Sequence, residues 1–296
     1  MSTLAIARAV TIGDRRVGDG HRAYPVAEIG INHNGDIGIA KRLIEDAARA
    51  GCDAVKLQKR TPALCVPADQ RGRLRQTPWG DLSYLDYRRR VELGRAEYDE
   101  IDRFCRSLEI AWFASCWDEP SVDFIEAYDP PCYKIQSAAV TDFALLRRLR
   151  ATGRPLILST GMSNLEQIHA AVDFLDTPEL VILHSTSAYP CQPTELNLRM
   201  IHTLRREFPG HPIGYSGHEV GLPTTVAAVA MGACYVERHI TLDRAMWGSD
   251  QAASIEPQGF ARLAHYVRSV ESALGDGIKQ VYASEIPVMQ RRRRVK

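Results

Sequence analysis

The chain of 296 residues has almost no net charge: 37 Lys and Arg stand against 36 Asp and Glu, giving +1. That balance argues against a nucleic-acid partner, which calls for a basic surplus on one face. No C-x-x-C pair occurs among the seven cysteines (52, 65, 105, 116, 132, 191 and 234). Their odd number and scatter indicate neither a zinc ribbon nor a disulfide framework, and free thiols fit a reducing, cytoplasmic compartment. No apolar run approaches the ~18 residues of a membrane span, and the N-terminus has no apolar signal core, so neither membrane insertion nor secretion is expected.

What is present is a repeated alternation. Short, mostly continuous apolar runs occur at Tyr24–Ile31, Ala54–Gln58, Ala111–Cys116, Cys132–Ile135, Pro155–Ser159, Leu180–His184, Pro212–Ser216 and Tyr235–Ile240. Continuous rather than alternating runs suit strands buried on both faces. Amphipathic stretches lie between them. Ile39, Leu43 and Ala47 keep helical spacing until Gly51, and Glu97–Leu108, Ser121–Tyr128, Phe143–Ala151, Leu165–Leu175, Leu198–Phe208, Leu222–Ala233 and Gln258–Leu274 follow, with Asp142 and Asn164 as N-caps. Eight strands each followed by a helix predict a single α/β domain over residues 1–296, a (β/α)8 TIM barrel, with a doubly wound open sheet as the alternative. A small hairpin within residues 1–20, built from Leu4–Ala7, Thr11-Ile12 and Arg15–Val17, is expected to plug one end. The rhythm breaks once, in a long loop insertion after strand 2 (Thr61–Arg95), expected over the active-site face. A basic tail over 280–296, with Arg291–Arg294, reads as solvated.

Chemistry in a barrel gathers at the C-terminal strand ends. Gly214–His218 and Val236–His239 flank one helix as a parallel βαβ unit, which places His218 and His239 on neighbouring strands roughly 5 Å apart, where two imidazoles can share a metal ion. Imidazole accepts several transition ions, so the metal stays open at this level. His33 either contacts substrate or shapes its turn; His184 is the weaker candidate. Lys56 and Lys134 lie within strands, where a lysine needs an anionic partner. With Ser137, Ser159 and Ser216 nearby they predict a pocket for a small, doubly anionic molecule carrying phosphate and carboxylate.

These motifs resemble the sialic acid synthase family. Glu28–Gly35 is similar to its first-strand signature. Lys56-Leu57-Gln58, Tyr133–Ser137, Ser159–Met162, Ile213–His218 and Glu237-Arg238-His239 match its later motifs in order. The resemblance implies a metal-dependent condensation of phosphoenolpyruvate with an aldose of N-acetylmannosamine type, giving a 3-deoxy-2-keto sugar acid and phosphate. It implies Mn²⁺ or Mg²⁺ on His218 and His239, and catalytic roles for Glu28, Lys56, Glu237 and the two histidines. Lys134, Ser137, Ser159 and Ser216, with Gln58 and Ser187 in the same motifs, become substrate-binding positions; Tyr189 and Asp250 lie nearer the sugar. A homodimer is implied as well. The chain departs from the family at Ser187, where many members have Asn, and at Gly217, where many have Asp. It is also expected to lack the family's C-terminal antifreeze-like domain, leaving Trp79, Tyr84 and Tyr87 of the insertion, or Trp247, to cover the sugar. Arg71, Arg73, Arg75 and Arg88–Arg90 keep a phosphorylated acceptor and a shorter sugar acid open. A non-catalytic sugar- or partner-binding homologue is the remaining alternative.

Overall fold

A computed structural model describes residues 8–295. Twelve strands run in chain order: β1 (Ala9–Ile12), β2 (Arg15–Gly18), β3 (Tyr24–Gly30), β4 (Ala54–Lys59), β5 (Leu74–Thr77), β6 (Gly80–Ser83), β7 (Ala111–Cys116), β8 (Tyr133–Ile135), β9 (Leu156–Ser159), β10 (Leu180–Ser185), β11 (Ile213–Gly217) and β12 (Tyr235–His239). Eight of them close into a parallel barrel in the order β3-β4-β7-β8-β9-β10-β11-β12. Each barrel strand coincides with one of the eight apolar runs to within a residue at either end. Every residue of β3, β9, β10, β11 and β12 is buried, as continuous apolar runs require when helices cover one face and packed side chains the other.

The connecting helices begin and end where local chemistry directs. Asp142 accepts from the Leu145 N–H, and Asn164 forms a reciprocal capping box with Gln167. Two helices start earlier than their periodicity indicates, at Arg95 and Glu119, because Glu97 closes back on the Gly94 N–H and Asp118 caps the Ser121 N–H ahead of the apolar positions.

The β1–β2 hairpin closes the bottom of the barrel. Val10, Ile12 and Val17 are fully buried against Tyr24, Val26, Phe113, Ile157, Val181, Leu183 and Tyr235, which point down the barrel interior. Each such aliphatic side chain contributes about 1.5–3 kcal/mol by its burial. Chemistry is thereby confined to the upper end. The Leu4–Ala7 part of the expected hairpin lies outside the described residues.

Thr61–Arg95 is not the irregular loop expected. It carries a short helix (Pro62–Cys65), the antiparallel β5–β6 ribbon and a helix over Tyr84–Arg90 capped by Ser83. Trp79 and Tyr87 meet the Trp247 ring edge-on at 5.8 and 5.3 Å, so the insertion packs on the loop after β12. At the other end, the segment after Leu274 is almost wholly exposed, with one short helix at Ile286–Arg292. Among the described residues no helix is long and apolar enough to cross a membrane.

Candidate active site

Strand register brings the polar residues together. Lys56 on β4 and His239 on β12 lie directly beside Glu28 on β3, and Ser216 on β11 lies beside Glu237 on β12. The β3–β4 register shifts between Glu28 and Gly30. Bulges of this kind re-aim side chains at active sites. Gly30 sits there at φ +54°, and a Cβ on it would press within 3.3 Å of Gln58, Glu28 and His239. Only glycine lets those three groups converge.

The cavity that results is lined by Glu28, Lys56, Gln58, Lys134, Ser137, Ser159, Ser187, Tyr189, Ser216, His218, Glu237 and His239. Of the catalytic, metal-binding and substrate-binding residues that the resemblance implies, all but Asp250 are there. That carboxylate stands just behind, 3.7 Å from His239 Nδ1. Trp79, Tyr84, Tyr87 and Trp247 do not line this cavity either; their rings pack on one another and on arginines. His33 accepts a hydrogen bond from the Gly35 N–H, and burial lowers its pKa to about 4, so it is a neutral turn-shaping residue. His184 bonds the Leu196 carbonyl at 2.6 Å and also lies outside the cavity lining. Six lining residues were missed: Ser115, Trp117, Gln136, Ala138, Met162 and Ser185. Ser115 and Ser185 sit at strand ends, and that position alone marks them. Gln136 and Met162 lie within the Tyr133–Ser137 and Ser159–Met162 motifs, whereas Trp117 and Ala138 carry no comparable signal.

At the centre lies a quartet of buried charges. Lys56 Nζ is 2.9 Å from Glu28 and 3.3 Å from Glu237, and Lys134 Nζ is 2.8 Å from the same Glu237 oxygen. The sequence reading took both lysines as free anion binders; instead each already has a carboxylate, and the four charges sum to zero. Ser216 and Tyr235 also donate to Glu237, at 3.3 and 2.8 Å. Burial alone would raise the Glu237 pKa, but Lys134 and Lys56 reverse this and hold it well below the ordinary carboxylate range. Burial likewise works against the Lys56 ammonium, and Glu237 and Glu28 outweigh it, lifting the pKa above the usual lysine value. For Lys134 burial dominates. Glu237 opposes it, Lys56 adds to it, and the pKa falls to about 8. Glu28 is held more lightly: among the described residues, besides Lys56 it accepts only from Gln58, at 2.8 Å.

Gly161 packs directly behind two of the lining serines, Ser137 and Ser187. Its N–H donates to Ser137 Oγ at 3.1 Å, and a Cβ there would collide with the hydroxyls of Ser137 and Ser187. Among the described residues the buried hydroxyls of Ser159 and Ser185 have no hydrogen-bond partner. Buried polar groups of that kind ordinarily find one, and a ligand's oxygens would supply it.

The histidine rings lie 5.5 Å apart. His218 Nδ1 bonds the Thr186 carbonyl at 2.8 Å, so it carries the proton and leaves the Nε2 lone pair free. Burial, reinforced by His239, lowers the His218 pKa to about 3, keeping the ring in the neutral state that a metal ligand requires. His239 Nδ1 is buried without a hydrogen-bond partner. Among the described residues no group of three or more His, Cys, Asp or Glu side chains is placed to hold a metal. The pair therefore fits an ion that takes two imidazoles and completes its sphere with water and substrate oxygens.

The chain matches the NeuB family over residues 43–279. It belongs to that family. N-acetylneuraminate-9-phosphate synthase of Homo sapiens is 40% identical over 277 residues, covering 92% of this chain and 77% of the human protein. N,N'-diacetyllegionaminic acid synthase of Campylobacter jejuni is 36% identical, covering 88% and 80%. The crystal structure of N-acetylneuraminic acid synthetase from Leptospira borgpetersenii in complex with citrate superposes with a TM-score of 0.86 at 28% identity, covering 97% and 96%. As a NeuB-family barrel with the synthase motifs in place, the chain is an enzyme of the sugar acid synthase type. The barrel itself is more widely shared: a truncated 3-deoxy-D-arabino-heptulosonate 7-phosphate synthase from Thermotoga maritima matches with a TM-score of 0.70 at 13% identity.

Proposed function

We propose that this enzyme condenses phosphoenolpyruvate with an aldose of the N-acylhexosamine type, yielding a 3-deoxy-2-keto sugar acid and inorganic phosphate. The observation that carries the reading is the joining of two half-sites in one cavity: an anion pocket with a directed lysine, and a pair of neutral imidazoles beside it. Lys134 and the hydroxyls of Ser137, Ser159, Ser187 and Ser216 would hold the carboxylate and phosphate of phosphoenolpyruvate. His218 and His239 would hold a divalent cation, whose chemistry is to polarise the acceptor aldehyde as a Lewis acid. Imidazole donors favour a transition ion such as Mn²⁺ over Mg²⁺.

Carbon 3 of the enol attacks the aldehyde carbon. Water then adds at carbon 2, and the tetrahedral adduct releases phosphate by C–O cleavage. The hydrogen bonding supports a division of the carboxylates between these steps. Glu237 accepts from Lys134, Lys56, Ser216 and Tyr235 and is held ionised, which suits stabilisation of positive charge at carbon 2 rather than proton transfer. Glu28, with Lys56 and Gln58 as its partners, is placed to take the proton of the attacking water.

The deciding assay is phosphate release from phosphoenolpyruvate with a panel of N-acylhexosamines and Mn²⁺, with and without chelator. Chelator-sensitive release with at least one acceptor is the expected result; release with none would favour a binding protein. A pH profile adds a second check. Lys134 is cationic below its pKa and neutral above it, so kcat/KM for phosphoenolpyruvate is expected to fall as pH rises through about 8, because that parameter reports the free enzyme's ionisations. A profile flat to pH 9.5, roughly a unit and a half beyond that value, would remove Lys134 from anion binding.

A further inference from the structure

Regular pairing of β11 with β12 ends at Gly217 and Arg238, one residue short of the two histidines. Beyond that point each histidine is fastened to a different neighbour. His239 stays in register with Glu28 on β3. His218 is tied instead to the loop after β10: its ring bonds the Thr186 carbonyl, and its own carbonyl accepts from the Cys191 N–H at 3.0 Å. A spacing anchored from opposite sides calls for a crosslink where the ladder stops.

Arg238 and Glu219 supply one. Each is 1% exposed, adjoins one of the histidines in sequence and lies outside the cavity lining. Arg238 Nη1 lies 3.0 Å from Glu219 Oε1, 2.9 Å from the Gly221 carbonyl and 2.8 Å from the Thr225 hydroxyl, and Nη2 donates to the Glu219 carbonyl. Thr224 and Thr225 donate to the same Glu219 oxygen at 2.6 and 3.1 Å, and Tyr215 donates to the other at 2.9 Å. One guanidinium thus holds both the backbone and the side chain of the residue after His218. Gly217, a departure from the family's motif, makes the room: a Cβ there would collide with the Glu219 carboxylate and the Tyr215 ring. Stability alone does not call for a salt bridge at this place. Apolar side chains of similar volume often match or better a buried ion pair, so what the pair adds is directed bonding.

We propose that Glu219 and Arg238 are positioning residues that hold the His218 and His239 rings at their 5.5 Å spacing. This rests on the reading of that pair as a metal site. Neither residue reaches the cavity; each acts through the backbone of the histidine beside it. The planar guanidinium bonds carboxylate and carbonyl at once, which a lysine ammonium cannot do with the same fixed geometry.

The test compares the wild type with Arg238→Lys and with the double variant Glu219→Leu, Arg238→Met, which removes both charges and keeps apolar volume in their place. Thermal melting confirms folding. Calorimetry measures Mn²⁺ binding and, with chelator present, phosphoenolpyruvate binding. The double variant should stay folded yet bind Mn²⁺ about 10- to 100-fold more weakly, the range for groups that orient metal ligands. Phosphoenolpyruvate affinity should change by less than about 3-fold, as for a site that shares no partner with the altered residues. Arg238→Lys should fall between the two for Mn²⁺. Wild-type Mn²⁺ affinity in the folded double variant, or an equal loss of phosphoenolpyruvate affinity, would overturn the proposal. If the double variant does not fold, Arg238→Lys decides by the same two measurements: weakened Mn²⁺ binding alone supports the role, and unchanged Mn²⁺ binding refutes it. If the wild type binds no Mn²⁺, the metal reading fails on its own account. The imidazole ¹⁵N resonances then decide the positioning role. His218 and His239 signals that move in Arg238→Lys while those of His33 stay support it, and unmoved signals refute it.

Discussion

His218→Ala is expected to reduce metal-dependent phosphate release by at least about a thousandfold, since a Lewis acid at a developing alkoxide supplies several kcal/mol and each 1.36 kcal/mol is a factor of ten. The protein should remain folded. The lost side chain makes a single hydrogen bond, to the Thr186 carbonyl, and that costs about 1 kcal/mol. Mn²⁺ affinity measured by calorimetry should collapse in parallel. His184→Ala is the matched control: an equally buried histidine bonded to a backbone carbonyl, but outside the cavity lining. It should lose stability while keeping most of its turnover. An undiminished rate in His218→Ala, or unchanged Mn²⁺ affinity, would refute the assignment of this pair.

Glu237→Ala should show the largest loss of stability in the barrel. It leaves Lys134 and Lys56 facing each other in a buried site with only Glu28 to balance them. Removing one partner of a buried ion pair costs about 3–5 kcal/mol. For a domain of this size each kcal/mol corresponds to roughly 2–4 °C, so the melting temperature should fall by about 6–20 °C. Adding Lys134→Met to Glu237→Ala should recover part of this, because it removes the stranded charge rather than restoring a contact. If the double variant melts below the single one, charge imbalance is not what destabilises the site.

The eight strands were readable because a two-sided buried strand needs a mostly apolar run, and each of the eight contains one. The site was readable wherever a polar residue sat at a strand end. Ser159, Ser216 and the two histidines announced themselves that way, and Glu28, Lys56, Lys134 and Glu237 did so as charges within otherwise apolar strands. What stayed hidden depends on side-chain partners rather than position. Nothing in the string of residues around Lys134 reveals that Glu237, a hundred residues on, already neutralises it. The insertion was legible as a break in rhythm but not as a ribbon and a helix, because its exposed residues carry little apolar patterning. Its aromatic residues were expected over the sugar; their packing on Trp247 shows that they first hold the insertion to the last loop of the barrel.

The neutral sum of the buried quartet has a thermodynamic consequence. An anion that enters finds directed donors but no surplus of positive charge. Its arrival leaves the cavity with excess negative charge unless a cation or a proton comes with it. Under the proposed reading, binding of the anionic substrate and of a divalent ion at the histidine pair would then be coupled, and reciprocity would require each to tighten the other by the same factor. The saturation curve for one should shift with the concentration of the other, and that shared factor measures the charge that Glu28 and Glu237 withhold from the anion.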